Sequence, residues 1–237
     1  MVNLVAIRRA DWNYGQNQER NFNHAPAQSF MCTTRNGYHY TLKYSVGLDD
    51  PRVQGVINAV EAVSALNFPL PKIEFRVNPA CSNIAIKGDA AGNFSVIIYV
   101  GGAAIHQDKK VFTHKLSGVV GGQGMNRGVA HQIYDNTQRW FGNPKQHAMA
   151  TTVVFHELGH VLHEATDADM HWESMNPDYR PDVWKVPSRS VSQYAGKSGG
   201  ELVAEVFAGT MAGKKYPGAV VAAYRALHGP EVARFFG

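Results

Sequence analysis

Thr151-Thr152-Val153-Val154-Phe155-His156-Glu157-Leu158-Gly159-His160-Val161-Leu162-His163 holds an H-E-x-x-H pattern inside a run without proline. Apolar residues recur throughout, so the run reads as a mostly buried helix. Residues four apart on a helix lie one above the other on the same face. His156 and His160 can therefore reach one metal ion, with Glu157 beside them. The pattern is the signature of a zinc hydrolase in which the glutamate serves as general base toward a metal-activated water. The bland reading is a helix with two unrelated histidines. With 11 His in the chain, a chance match has a probability of about 0.02.

Two histidines leave a catalytic zinc one protein ligand short. The longer pattern H-E-x-x-H-x-x-G-x-x-H fails, because His163 stands where it needs Gly and Thr166 where it needs His. Asp167, Asp169, His171 and Glu173 follow in an acidic stretch, and no spacing singles one out. A stronger candidate comes later. Gly199-Gly200 reads as the end of a loop, and 201–211 as a helix with apolar residues at 202, 203, 206 and 207. Glu201 and Glu205 are four apart, so both carboxylates share one face. That face is expected to turn toward something cationic inside the protein. A zinc site uses two such groups, one as ligand and one to accept the spare N–H of a ligand histidine and hold its tautomer. The alternative is a solvated acidic pair, which like charge disfavours slightly.

His156-Glu157-Leu158-Gly159-His160, then Tyr194, then Glu201-x-x-x-Glu205-x-Phe207-Ala208, resembles the catalytic domain of the anthrax lethal factor type of metallopeptidase. Tyr194 stands seven residues before Glu201, as that family's site tyrosine stands before its ligand glutamate. The matching segments cover about 30 residues. The resemblance implies one zinc per chain, held by His156, His160 and Glu201. It implies Glu157 as general base, Tyr194 as a phenol that stabilises the oxyanion or donates a proton, and Glu205 as the carboxylate behind a ligand histidine. It also implies an α+β zincin-like domain: a small twisted mixed sheet, an active-site helix and a mainly helical C-terminal part. The activity implied is that of a zinc-dependent endopeptidase, a secreted or injected bacterial toxin or effector cutting a host or competitor protein. Two alternatives stand beside it: a catalytically silent zinc-binding scaffold that binds a protein partner, and an intracellular housekeeping peptidase. Retention of Glu157 argues against the scaffold, since a site that only binds metal has no use for a base.

Composition bounds the rest. A chain of 237 residues, 44% hydrophobic, can bury a sizeable core and is read as one domain over 1–237. Within it, 1–48 is an N-terminal extension or hairpin and 147–237 the zinc-site half. No apolar run reaches the length of a membrane span. The start, Met1-Val2-Asn3-Leu4-Val5-Ala6-Ile7-Arg8-Arg9, is too short an apolar stretch for a secretory signal. Either a signal has been removed, export uses another route, or the protein stays inside the cell. Cys32 and Cys81 are the only two cysteines, with no spacing suited to zinc; pairing and free thiols are equally open. The net charge of +4 is uneven. Residues 150–205 carry nine Asp or Glu and four Lys or Arg, a balance of 4 − 9 = −5, so the remainder is +9. The basic residues are scattered, which reads as a soluble surface and not as a nucleic-acid face. The expected partner is a protein or peptide substrate held in extended form, and the expected state is a monomer.

The order of elements suits this fold. Arg35-Asn36-Gly37-Tyr38, between 29–34 and 39–46, reads as a hairpin with a tight Asn-Gly turn. Asp50-Pro51 opens a helix as N-cap and first turn. Val53, Val56, Ile57, Val60, Val63 and Leu66 follow helical spacing, so that helix is expected to pack on a sheet. Residues 73–77, 84–87 and 94–100 read as strands, the last apolar on both faces. In the zincin fold an edge strand pairs with extended substrate, and one of these is expected to do so. Residues 118–128 read as a glycine-rich loop. The stretch with His171, Trp172, Pro177, Pro181, Trp184 and Pro187 reads as a long loop whose two Trp form a wall of the cleft. His163 is expected near the site or at its rim. Residues 216–227 and 230–236 read as two closing helices.

Overall fold

The computed structural model describes residues 28–77, 85–88, 96–100, 146–192 and 194–231. Among these residues five strands form one mixed sheet: β1 (Gln28–Thr33), β2 (His39–Tyr44), β3 (Ile73–Val77), β4 (Ala85–Gly88) and β5 (Val96–Val100). Their order is β1-β2-β3-β5-β4. The three inner strands run parallel, and both edge strands pair antiparallel to their neighbours. The β1–β2 hairpin turns at Asn36-Gly37 as the sequence indicates. Gly37 takes a φ of 80°, a left-handed conformation that costs glycine nothing.

One face of the sheet is the core. Successive side chains alternate sides, so Leu42, Phe75 and Ile98, aligned across three strands, all point inward and are buried. Tyr44, Val77 and Val100 form the next row. The opposite face carries a cross-strand ion network, with Glu74 2.8 Å from Lys43 and 2.6 Å from Arg76. β5 is apolar on that face as well, through Ile97.

Helix α1 (Pro51–Ser64) starts where Asp50-Pro51 predicts, the Asp50 side chain accepting from the Arg52 amide. Val53, Val56, Val60 and Val63 are buried along one stripe. The expectation that this helix packs on the sheet holds only in part. It touches β3, but its main partner is the long site helix α2 (Gln146–Thr166). Gly55 explains the close approach: a Cβ there would stand 2.9 Å from the Thr151 backbone nitrogen.

The stretch read as a long loop is instead largely helical. Asp167 caps α3 (Ala168–Ser174) by accepting from the Met170 amide, and Pro181 opens α4 (Pro181–Ser188). Proline costs nothing in a first helical turn, where its missing N–H would go unpaired anyway. Trp184 is core and not cleft wall: it is fully buried, and its indole N–H donates to the Tyr179 carbonyl. Helix α5 (Gly199–Met211) begins two residues before the predicted start. Ser198 caps it, and a Cβ on Gly200 would strike Met175, so these glycines serve packing and not a loop. Helix α6 (Gly218–Ala226) matches the first closing helix. Of the second, Pro230 and Glu231 are not helical, and 232–236 lie outside the described residues, as do the glycine-rich 118–128 and Cys81. Cys32 is a free, partly buried thiol. No described helix is long and apolar enough to cross a membrane. The described residues are thus α+β, and every regular element from Gln146 onward is a helix.

Candidate metal centre

Helix α2 lies across α5, and Gly159 sits at the crossing. A Cβ at Gly159 would come within 3.1 Å of the Ala204 Cα and 3.2 Å of the Phe207 ring. Only a residue without a side chain lets the two backbones approach this closely. The approach brings the carboxylate face of α5 onto the histidine face of α2. Every residue of α5 is buried, Glu201 and Glu205 included.

Glu201 Oε2 stands 3.3 Å from His156 Nε2 and 3.4 Å from His160 Nε2. One ligand atom from each of His156, His160 and Glu201 lies within 4.8 Å of the others, so the three could hold a metal ion. The spacing suits the group. A tetrahedral ion with ligand bonds of roughly 2.0–2.1 Å keeps its ligand atoms about 3.3–3.4 Å apart. Glu201 Oε2 is also buried without a hydrogen-bond partner. A buried carboxylate oxygen in that condition is costly unless a cation faces it. On the far side, His156 Nδ1 lies 2.7 Å from Glu205 Oε1. Donation of Nδ1–H to Glu205 leaves the Nε2 lone pair aimed at Glu201 and His160.

The electrostatics agree. Burial alone would lower the His156 pKa, yet Glu201 and Glu205 outweigh it and hold the value well above that of ordinary histidine. Burial alone would raise the Glu201 pKa, yet His160 and His156 hold it well below the carboxylate range. Two carboxylates around this point favour positive charge there, whether proton or metal. Glu157, next to His156, keeps partial exposure. Its pKa is raised, first by burial and then by Glu201 and Glu205, with the two histidines opposing. The Tyr194 ring stands 5.6 Å from the His156 ring. Its phenol is pushed up by burial and by the Glu201, Glu157 and Glu205 charges. His156, His160, Glu201, Glu205 and Tyr194 therefore meet in one place, and Glu157, next to His156 in the chain, feels their charges.

The rival third-ligand candidates do not join the metal group. Asp167 caps α3 and pairs with His228 at 2.7 Å. His171 is buried with its ring 5.7 Å from that of His160. His163 is neither ligand nor rim. It is fully buried, donates Nε2–H to the Leu227 carbonyl at 2.7 Å and meets His171 Nδ1 at 3.3 Å. Two residues escape a reading of the sequence. Ser192 donates to Glu205 Oε2 at 3.1 Å, and Lys197 Nζ lies 4.3 Å from the centre of the Tyr194 ring. Neither belongs to a motif; their nearness to Tyr194 in the chain is the only signal. Comparison with protein-family models, curated proteins and solved structures finds no match to this chain.

Proposed function

We propose that this chain is a zinc-dependent endopeptidase with a zincin-type fold, of the lethal-factor type. The observation that carries the reading is the meeting of His156, His160 and Glu201 around one point, with Glu157 adjoining it. His156 and His160 would bind through Nε2 and Glu201 through Oε2. Bound there, zinc supplies a Lewis acid that polarises a substrate carbonyl and makes water more acidic.

The protein groups divide the remaining work. Glu157 takes a proton from the attacking water and passes it to the leaving amine. Tyr194 stays protonated because its pKa is pushed up, so its O–H can donate to the oxyanion that develops on the carbonyl. Glu205 holds His156 in the tautomer that leaves Nε2 free. The substrate is a protein segment in extended form. Among the described residues β4 is an edge strand beside β5, and β5 touches α2, so β4 is the edge assigned to pairing with the substrate. The setting of a secreted or injected toxin or effector rests on the resemblance of 156–160, Tyr194 and 201–208.

The test is Glu157→Gln, which is nearly isosteric and leaves the ligands in place. Zinc content should stay at about one equivalent per chain. Hydrolysis of casein or a mixed peptide library should fall by a factor on the order of 10²–10⁴. Mapping new protein N-termini generated by the wild type and not by the variant identifies the target. A wild-type chain that carries full zinc and cuts nothing would favour a partner-binding scaffold.

A further inference from the structure

We propose that Ser192 is a positioning residue that ties the turn bearing Tyr194 to the carboxylate orienting His156; this rests on the zinc-site reading above. Ser192 Oγ–H donates to Glu205 Oε2 at 3.1 Å, and Ser192 Oγ in turn accepts the Ala195 N–H at 2.9 Å. Glu205 Oε1 accepts from His156 Nδ1 at 2.7 Å. One carboxylate thus joins a ligand histidine on α2 to Ser192, whose hydroxyl also holds the Ala195 amide. Ser192 has a single proton and commits it to Glu205, while a lone pair is committed to the Ala195 amide. The hydroxyl is fixed at both ends.

Tyr194 lies between the two residues this hydroxyl joins. The turn continues with the Lys197 amide donating to the Tyr194 carbonyl at 2.9 Å. The Lys197 ammonium over the ring holds the outer face of the phenol side chain. The backbone of Tyr194 is therefore set by Ser192, and its ring by packing against His156 and Lys197. Glu205 is 2% exposed, so losing the hydroxyl donor leaves a buried carboxylate oxygen short of a partner. Removing the Ser192 hydroxyl would loosen two things at once: the anchor of His156 and the placement of the Tyr194 phenol. Metal and phenol are energetically coupled through this one side chain, and such coupling is reciprocal.

The experiment compares wild type, Ser192→Ala and Ser192→Thr, each with and without Tyr194→Phe. Zinc affinity by chelator competition should fall about 10–100-fold in Ser192→Ala and return in Ser192→Thr, which keeps the Oγ. The downfield proton resonance of His156 Nδ1–H should shift in Ser192→Ala and be restored in Ser192→Thr. In kcat the Ser192→Ala and Tyr194→Phe losses should be less than additive, because both act on the same phenol. A measurement on the wild type alone guards against an alanine variant that fails to fold: stripping zinc should speed hydrogen exchange at the Ala195 amide. Unchanged zinc affinity in Ser192→Ala, additive losses, or an Ala195 amide indifferent to zinc would overturn the role of Ser192 while leaving the zinc site standing. A wild type that binds no zinc would overturn both.

Discussion

Replacing Gly159 by alanine tests whether the helix crossing sets the metal geometry. The new methyl would lie 3.1 Å from the Ala204 Cα, 3.3 Å from the Ala204 carbonyl oxygen and 3.2 Å from the Phe207 ring. Carbon contacts are comfortable at roughly 3.5–4.0 Å, so something must give by a few tenths of an ångström. Two of the three atoms are backbone and cannot rotate aside, and Phe207 is fully buried. Helix α5 itself must move. Overpacking of this kind costs about 1–3 kcal/mol, and alanine returns about 1 kcal/mol of helix propensity, leaving a net loss of roughly 0–2 kcal/mol. Ala204 stands three residues after Glu201 and one before Glu205, so the same movement opens the 3.3 and 3.4 Å contacts of Glu201 with the histidines. Zinc affinity should drop on the order of tenfold even where stability falls little. Urea unfolding followed by circular dichroism and chelator competition, run on the same preparation, read the two effects. Gly218→Ala is the control, since a Cβ there meets nothing within 4 Å; it should be neutral or gain up to about 1 kcal/mol. A Gly159→Ala protein that gains as much as the control and binds zinc like wild type would refute the reasoning.

Stability should fall on acidification because His163 is buried neutral. Burial lowers its pKa from the usual 6.5 to about 4. The unfolded chain takes up a proton as pH drops through 6.5 and the folded chain does not. The neutral form's stability is therefore complete above pH 6.5 and is lost down to about pH 4, by about 3 kcal/mol. His171, lowered mainly by burial and then by His160 and His163, pushes the same way. Denaturant titrations between pH 7 and 4 check this, and His163→Gln should remove up to about 1.4 kcal/mol per pH unit from the slope. Glu201→Ala should strip most of the zinc, whereas Asp167→Ala and Glu173→Ala should keep it; metal analysis after gel filtration decides. Tyr194→Phe should leave zinc bound and lower kcat more than it raises KM, because the phenol bonds mainly to charge formed in the transition state. Full activity in Tyr194→Phe would remove the main link to the lethal-factor type.

Features set by neighbouring residues were open to reading. The spacing of His156 and His160 puts both rings on one helical face wherever the helix lies. Asn36-Gly37 makes its turn, and Asp50-Pro51 starts its helix, by local backbone preference alone. Glu201 and Glu205 share a face for the same reason. Prolines misled between 167 and 188, because Pro181 opens a helix there instead of breaking one. The fate of His163 also escaped: its partners, Leu227 and His171, come from separate segments.

The sequence by itself determined that two histidines and a glutamate would stand together on one helix, and that two more carboxylates would stand together on another. Only the tertiary structure decided that these faces meet. Glu205 and His156 are 49 residues apart in the chain, and no periodicity reports such a distance. Their contact depends on how closely two helices can approach, which is settled by a missing side chain at Gly159 against the backbone of Ala204. The structure likewise decided which Glu oxygen faces the two Nε2 atoms and which is held by Ser192. Helical spacing is a property of neighbours, fixed by 3.6 residues per turn; a crossing is a property of packing, fixed by every side chain between the two backbones.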